Sequence, residues 1–126
     1  MRSGGLGALS SRSSTPEPPV DSPYPGVHRR TFDTAHATIV EYRLEPGATF
    51  PLHSHPHEQI TVIREGTVAL TVGDRVRELG PGEWSAIPGN VVHGITASDR
   101  GASFLAMLVP RRKPEEEISL AARETS

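Results

Sequence analysis

Turn-forming residues are the feature that most restricts what this chain can fold into. Glycine and proline occur 12 times each among the 126 residues, so together they make up about a fifth of the chain, against about 12% in an average protein. Glycine destabilises the interior of a helix and proline breaks it. The composition therefore disfavours a helical bundle and favours short strands joined by many turns.

Short apolar runs follow one another between turn signals through the middle of the chain. They are rich in β-branched and aromatic residues, which favour strands, and none shows a convincing helical period. The pattern predicts an all-β sandwich or barrel of seven or eight strands. We expect Gly66 to end one of these strands. The predicted strands cover residues 37–44, 59–65, 67–72, 75–79, 84–88, 91–97 and 102–109.

The two ends of the chain differ from this region, which we predict to be one domain over residues 26–112. Fourteen of the first 25 residues are Gly, Ser or Pro, which predicts a disordered arm over residues 1–25. No apolar run of about 7–15 residues follows Arg2, so we do not expect a secretory signal peptide. Residues 113–126 are predicted to form a tail. In it, Pro114 and the three glutamates that follow are typical of the start of a short helix.

Charge and composition exclude several classes of partner. Thirteen Lys and Arg against 15 Asp and Glu give a net charge of −2, which offers no electrostatic support for nucleic-acid binding. No run approaches the roughly 18 apolar residues of a membrane span. The chain has no cysteine, which excludes disulfides and thiolate metal sites and is in keeping with a reducing cytoplasm, where we expect the protein to act.

Three of the six histidines lie within five residues, in HSHPHEQ. Side chains alternate along a strand, so His53 and His55 face the same way and can share one metal ion. Gln59 returns to that face if the strand continues, and His93 is the best distant candidate for a further ligand. His57 has the same parity. Because Pro56 interrupts the strand, we expect His57 either beside the metal site or in solvent.

The segment GATFPLHSHPHEQITVIREG resembles the first motif of the cupin family. In that motif a glycine precedes a His-x-His pair by five residues, and an acidic ligand and a second glycine follow. Gly47, His53, His55 and Gly66 stand at those spacings, and Gln59 takes the place of the acidic ligand.

The segment GEWSAIPGNVVHG resembles the second cupin motif, with Gly82, Pro88 and His93 in the matching positions. Asn90 stands where the family usually has glycine. Asparagine tolerates the left-handed conformation better than most residues, so we expect the turn to form. Ala97 replaces the asparagine that closes the motif.

The resemblance implies an all-β, single-domain cupin: an antiparallel, jelly-roll-like β-barrel, here with a disordered N-terminal arm. It also implies one divalent metal ion per chain (Zn, Fe, Ni or Mn), held by His53, His55, Gln59 and His93, and frequently a homodimer. Apolar residues on both faces of segments 59–72 and 102–109 also predict a homodimer. We expect Trp84 and Phe104 to pack in the core or in the dimer.

HSHPHEQI is also similar to the small cupins of the pectin-degradation type, which convert unsaturated uronates by ring opening and tautomerisation. Those proteins carry an aspartate, a phenylalanine and an arginine on and after the last strand. The matching positions here are Ala106, Leu108 and Arg112, so only the arginine is present. Similar small cupins also act as zinc polyketide cyclases, as oxygenases and in natural-product pathways.

Neutral ligands leave the full charge of a divalent ion to polarise a bound oxygen. We therefore expect Lewis-acid chemistry on a small oxygenated substrate: isomerisation, cyclisation, dehydration or a similar reaction. His57 is our candidate base, because the unperturbed pKa of histidine is near neutrality, and Arg112 is a second candidate catalytic residue. Two alternatives stay open, an Fe- or Ni-dependent oxygenase and a protein that binds a small ligand without turnover.

Overall fold

The computed structural model describes residues 17–113 and the backbone of residues 119–120. Over these residues the chain is all β, which confirms the predicted fold class. The described part contains no helix that is long and apolar enough to cross a membrane. The strands are β1 (Asp21–Tyr24), β2 (Val27–Asp33), β3 (Thr38–Leu44), β4 (Thr49–Ser54), β5 (Glu58–Val72), β6 (Arg75–Leu79), β7 (Trp84–Ile87), β8 (His93–Val109) and β9 (Ser119–Leu120).

Two long strands, β5 and β8, form the central pair of the barrel. They pair antiparallel along nearly their whole length. The first half of β5 and the second half of β8 form a sheet with β7 on one side and with β3, β2 and β1 on the other. The remaining halves form a second sheet with β6 on one side and β4 and β9 on the other. The chain thus makes two facing sheets that share a bent central ribbon.

The bend in this ribbon lies at Gly66, and our prediction that Gly66 ends a strand is wrong. The strand continues through it with shifts of register on both sides, so segments 59–65 and 67–72 are one strand. Gly66 has φ +73°, and a Cβ there would lie 2.1 Å from the carbonyl oxygen of Gly101. Only glycine allows the two strands to approach so closely at this bend.

The core fills the space between the sheets, as the alternation of side chains predicts. Apolar residues from both sheets form one buried cluster: Val27, Leu44, Phe50, Ile63, Val68, Leu70, Leu79, Ile87, Ile95, Ala97, Ala102 and Phe104. Phe104 therefore packs in the core as expected. Trp84 does not, since it is 61% exposed on the outer face of β7.

The ordered region begins earlier than the predicted boundary at residue 26. Strand β1 lies inside the segment predicted to be a disordered arm, and it pairs with β2, for which we predicted no strand. Residues 1–16 lie outside the described residues, as does the predicted helix start at Pro114. Of the predicted tail, residues 119–120 form β9, which pairs with β4.

Candidate metal centre

Three strands bring the predicted ligands to one end of the barrel interior. His53 lies near the end of β4, and the register pairs it directly with His93, the first residue of β8. His55 follows the end of β4 by one residue, and Gln59 is the second residue of β5. Gln59 is on the inner face, paired with Leu108 of β8 and with Ile87 of β7.

The three histidines converge on one point. All three are buried, and one nitrogen from each ring lies within 4.8 Å of the others. The ring centroids of His53 and His93 are 4.2 Å apart, and those of His55 and His93 are 4.8 Å apart. Imidazole is the commonest protein ligand for Zn, Fe, Ni and Cu, so this triad could bind a metal ion.

Backbone carbonyls orient all three rings in the same way. The Nδ1 atoms of His53, His55 and His93 donate to the carbonyl oxygens of residues 51, 57 and 91 at 2.7, 3.1 and 2.8 Å. A carbonyl oxygen only accepts, so the proton of each neutral ring is on Nδ1. Each Nε2 is then left with a lone pair for a metal ion, the arrangement typical of histidine ligands.

The side-chain oxygen of Gln59 lies beside the three rings and could serve as a fourth ligand atom. Its Oε1 lies 3.0 Å from Nε2 of His55 and 3.3 Å from Nε2 of His93, while its Nε2 donates to Thr61 Oγ1 at 3.0 Å. In this arrangement the Nε2 lone pairs face an amide oxygen that also carries lone pairs. Such a cluster of acceptors is stabilised by a cation at its centre, so the residues present fit a divalent metal ion.

Burial keeps the histidines in the neutral form that binds metal. Burial, and after it the neighbouring His93, lowers the pKa of His53 to about 3. Burial likewise lowers the pKa of His93 to about 4 and is the main cause of the lowered pKa of His55. The rings therefore hold no proton on Nε2 at neutral pH.

A small cavity of about 20 Å³ opens onto the site from the barrel core. None of its described lining residues carries a carboxylate, and only one titratable residue besides the candidate ligands lines it, namely Tyr42. The rest of the lining is apolar. The lining residues are Tyr42, Phe50, His53, Gln59, Leu70, His93, Gly94, Ile95 and Phe104.

Asn90, in the second motif, connects the two motifs by a backbone hydrogen bond. Its φ is +66°, the left-handed conformation expected where the family usually has glycine. Its backbone N–H donates to the carbonyl oxygen of His55 at 2.7 Å. The turn that precedes His93 therefore also ties down the loop that carries His55.

The two candidate catalytic residues lie at the edge of this site. His57 is buried, its ring centroid is 5.5 Å from that of His55, and it is not among the residues that line the cavity. The amide of Arg112 donates to Thr38 Oγ1 at 2.9 Å, and the charge of its side chain acts on His55 and Tyr42.

The structure also places the other residues that the sequence singled out. Ala106 and Leu108 lie on the inner face of β8, opposite Thr61 and Gln59 of β5, so the matching positions of the pectin-degradation type do face the site but carry no acid. His28 hydrogen-bonds Glu45 at the surface, and His36 is an exposed residue of a turn.

One functional feature was missed from the sequence. We predicted no site residue in the segment over residues 37–44, but the structure directs Tyr42 into the cavity, beside Arg29 and Asp21 of neighbouring strands. The alternation of Thr38, Val40, Tyr42 and Leu44 along β3 was the available signal, because these four face inward together.

Comparisons with known proteins define the class. Residues 40–108 match the family described as the Cupin domain, and the chain therefore belongs to the cupin family. No curated protein sequence matches the chain significantly.

Among solved structures, the chain is similar to KdgF from Halomonas sp., with 25% identity, a TM-score of 0.70 and coverage of 75% of this chain and 88% of that one. An RmlC-like cupin from Shewanella frigidimarina is 22% identical, with a TM-score of 0.70 and coverage of 76% and 86%. A Bacillus subtilis oxalate decarboxylase variant shares the fold at 20% identity and a TM-score of 0.76; the match covers 86% of this chain and 31% of that one. The predicted resemblance to small cupins is thus confirmed.

Proposed function

We propose that this cupin binds one divalent metal ion through His53, His55, His93 and Gln59 and acts on a small anionic oxygenated compound. The observation that carries the proposal is the convergence of these neutral donors, with every Nδ1 already committed to a backbone carbonyl. A bound divalent ion would act as a Lewis acid that stabilises negative charge on a substrate oxygen. Isomerisation, cyclisation and dehydration all pass through such a charge.

The charges around the cavity favour an anionic substrate. The four ligands are neutral and leave the positive charge of the ion uncompensated, and the described lining residues include no carboxylate. The positive charge of Arg112 also acts on the site from its edge. In a space of low dielectric constant these charges attract a carboxylate or an enolate strongly.

The lining of the cavity favours a substrate with one polar end. The aromatic rings of Phe50 and Phe104 and the side chains of Leu70 and Ile95 form the apolar part of the lining. The cavity thus has a polar and an apolar part of its lining, and a bound molecule would direct its oxygens to Gln59 and the histidines.

Elemental analysis of untagged protein tests the proposal. We expect close to one metal ion per chain in the wild type and its loss in the His53→Ala, His93→Ala double variant. The matched control is a His28→Ala, His36→Ala double variant, which removes the same number of histidines outside the site. Absence of metal from a folded wild type, even after reconstitution, would overturn the proposal and favour a protein that binds a ligand without turnover.

The identity of the metal would direct the assay that follows. Zinc would favour isomerisation or cyclisation. Iron or nickel would lead us to measure oxygen consumption, which tests the alternative of an oxygenase. The neutral ligand set suits each of these ions.

We also propose that the protein is a homodimer. A row of apolar residues crosses the outer face of the first sheet through five strands, where the register pairs Phe32, Ile39, Met107, Ile60 and Ala86 in turn. Met107 is 38% exposed, and Trp84, also on this face, is 61% exposed. Covering such a face with a second copy removes apolar surface from water.

A further inference from the structure

A row of polar residues runs across the inner face of the first sheet toward the cavity. The register places Asp21 opposite Arg29, Arg29 opposite Tyr42, and Tyr42 opposite Phe104. Nε of Arg29 donates to both carboxylate oxygens of Asp21, at 3.1 and 3.2 Å. The charge of the Arg29 side chain also acts on the hydroxyl of Tyr42.

The chemistry of arginine decides how Tyr42 can be used. A guanidinium has only donors, so Arg29 cannot accept the phenol proton. Tyr42 lines the cavity, and its proton can therefore be donated to a molecule bound there.

Two aromatic contacts hold the phenol in place. The ring of Tyr42 stacks on Phe104 at 4.9 Å with an interplanar angle of 23°, and it meets Phe50 edge-on at 5.8 Å. Both neighbours line the same cavity. The hydroxyl is thus directed by packing as well as by Arg29, which lowers the entropy lost when a ligand binds.

We propose that Tyr42 donates a hydrogen bond to an oxygen of the anionic substrate, and that Arg29, held by Asp21, positions it for this contact. The inference rests on the proposed function and adds the residue that selects the substrate. It fits the absence of an acid at Ala106, because Tyr42 is the one proton-bearing residue of the described lining outside the metal ligands. The favoured ligand carries its negative oxygens at one end, where the metal ion and Tyr42 can both contact them.

The test uses the full-length chain loaded with Co(II) and acetohydroxamate, a small oxygen-donor anion, as the probe. Binding is followed by the visible absorption of Co(II), and the metal content of every variant is measured. A hydrogen bond to a charged oxygen is worth about 1.5–3 kcal/mol, so we expect Tyr42→Phe to raise the Kd by about tenfold or more with the metal content unchanged.

Tyr24→Phe is the matched control. Tyr24 also meets Phe50 edge-on, with ring centroids 4.9 Å apart, but it is not among the lining residues, and we expect its variant to bind as the wild type does. Arg29→Met should weaken binding by about threefold, since the guanidinium then no longer positions the phenol, and Arg29→Lys should recover part of the loss. A tyrosine difference spectrum on adding the probe should appear in Tyr24→Phe and vanish in Tyr42→Phe.

The outcomes separate the two proposals. Equal Kd values for wild type and Tyr42→Phe, both fully loaded, would overturn the role of Tyr42 and leave the metal site standing. A larger loss in Tyr24→Phe than in Tyr42→Phe would also overturn it, because packing alone would then explain the effect. Failure of the wild type to bind Co(II) would overturn the proposed function, and this inference with it.

Discussion

Replacing Gln59 by glutamate is the most direct probe of the charge balance at the metal centre. The change keeps the length of the side chain and puts a carboxylate oxygen where Oε1 now lies, 3.0 and 3.3 Å from Nε2 of His55 and His93. The hydroxyl of Thr61, which now accepts from the amide, can rotate to donate to the new carboxylate. The geometry of the site should therefore survive.

The size of the effect follows from Coulomb's law. A unit negative charge about 3 Å from a divalent cation gains roughly 11 kcal/mol at an effective dielectric constant of about 20. Desolvation of a buried carboxylate offsets most of this gain. We expect a net gain of about 1–3 kcal/mol in metal binding, which corresponds to a Kd roughly 5- to 150-fold lower.

Competition with a chromophoric chelator at fixed pH measures this difference for Zn(II). Gln59→Leu is the matched variant, since it removes the amide oxygen at similar volume and should weaken binding instead. The same experiment tests Lewis acidity, because the glutamate variant binds metal more tightly but leaves less positive charge for a substrate. If Gln59→Glu binds Zn(II) no more tightly than wild type, Gln59 is not a ligand and our account of the site is wrong.

Three further predictions concern stability and assembly. Gly66→Ala should lower the free energy of unfolding by about 3 kcal/mol or more, measured by urea denaturation, because a Cβ there meets a backbone oxygen at a positive φ; an unchanged value would contradict the tight bend. The pKa values of His53 and His93, about 3 and about 4 in the folded protein, lie below the ordinary 6.5. As the pH falls, the unfolded chain therefore takes up protons before the folded chain does. Metal-free protein should then keep its full stability above about pH 6.5 and lose about 1.4 kcal/mol per histidine per pH unit below it; equal unfolding midpoints at about pH 7.5 and about pH 5 would refute this. Met107→Lys should convert the dimer to a monomer in light scattering while Val76→Lys, at a 66% exposed site on β6, does not; a monomeric wild type would end the dimer proposal.

Local patterns in the sequence predicted much of the fold. The segment over residues 75–79 is strand β6 with the same bounds, and most of the other predicted strands lie within β3, β5, β7 and β8. Alternation of apolar and polar residues, and the turn residues between the runs, are properties of neighbouring residues, so the chain itself displays them. Strand β2 was missed because its sequence, VHRRTFD, carries too many charged residues for an apolar run.

The candidate ligands could also be found from the sequence, because spacing along a strand decides which face a side chain takes. His53, Gln59 and His93 were predicted together for that reason and for their places in two motifs. The same reasoning left His57 open between the site and solvent, and the structure buries it outside the cavity lining.

Contacts between distant strands were decided only by the tertiary structure. The pairing of His53 with His93, the continuation of β5 through Gly66, and the row from Asp21 through Arg29 to Tyr42 all depend on register between segments far apart in the chain. The alternation along β3 indicates that Tyr42 faces inward, but only the register with β2 places Arg29 opposite it. Residue types and their spacing thus determined which groups were available for chemistry, and the packing of two sheets decided which of them share a cavity.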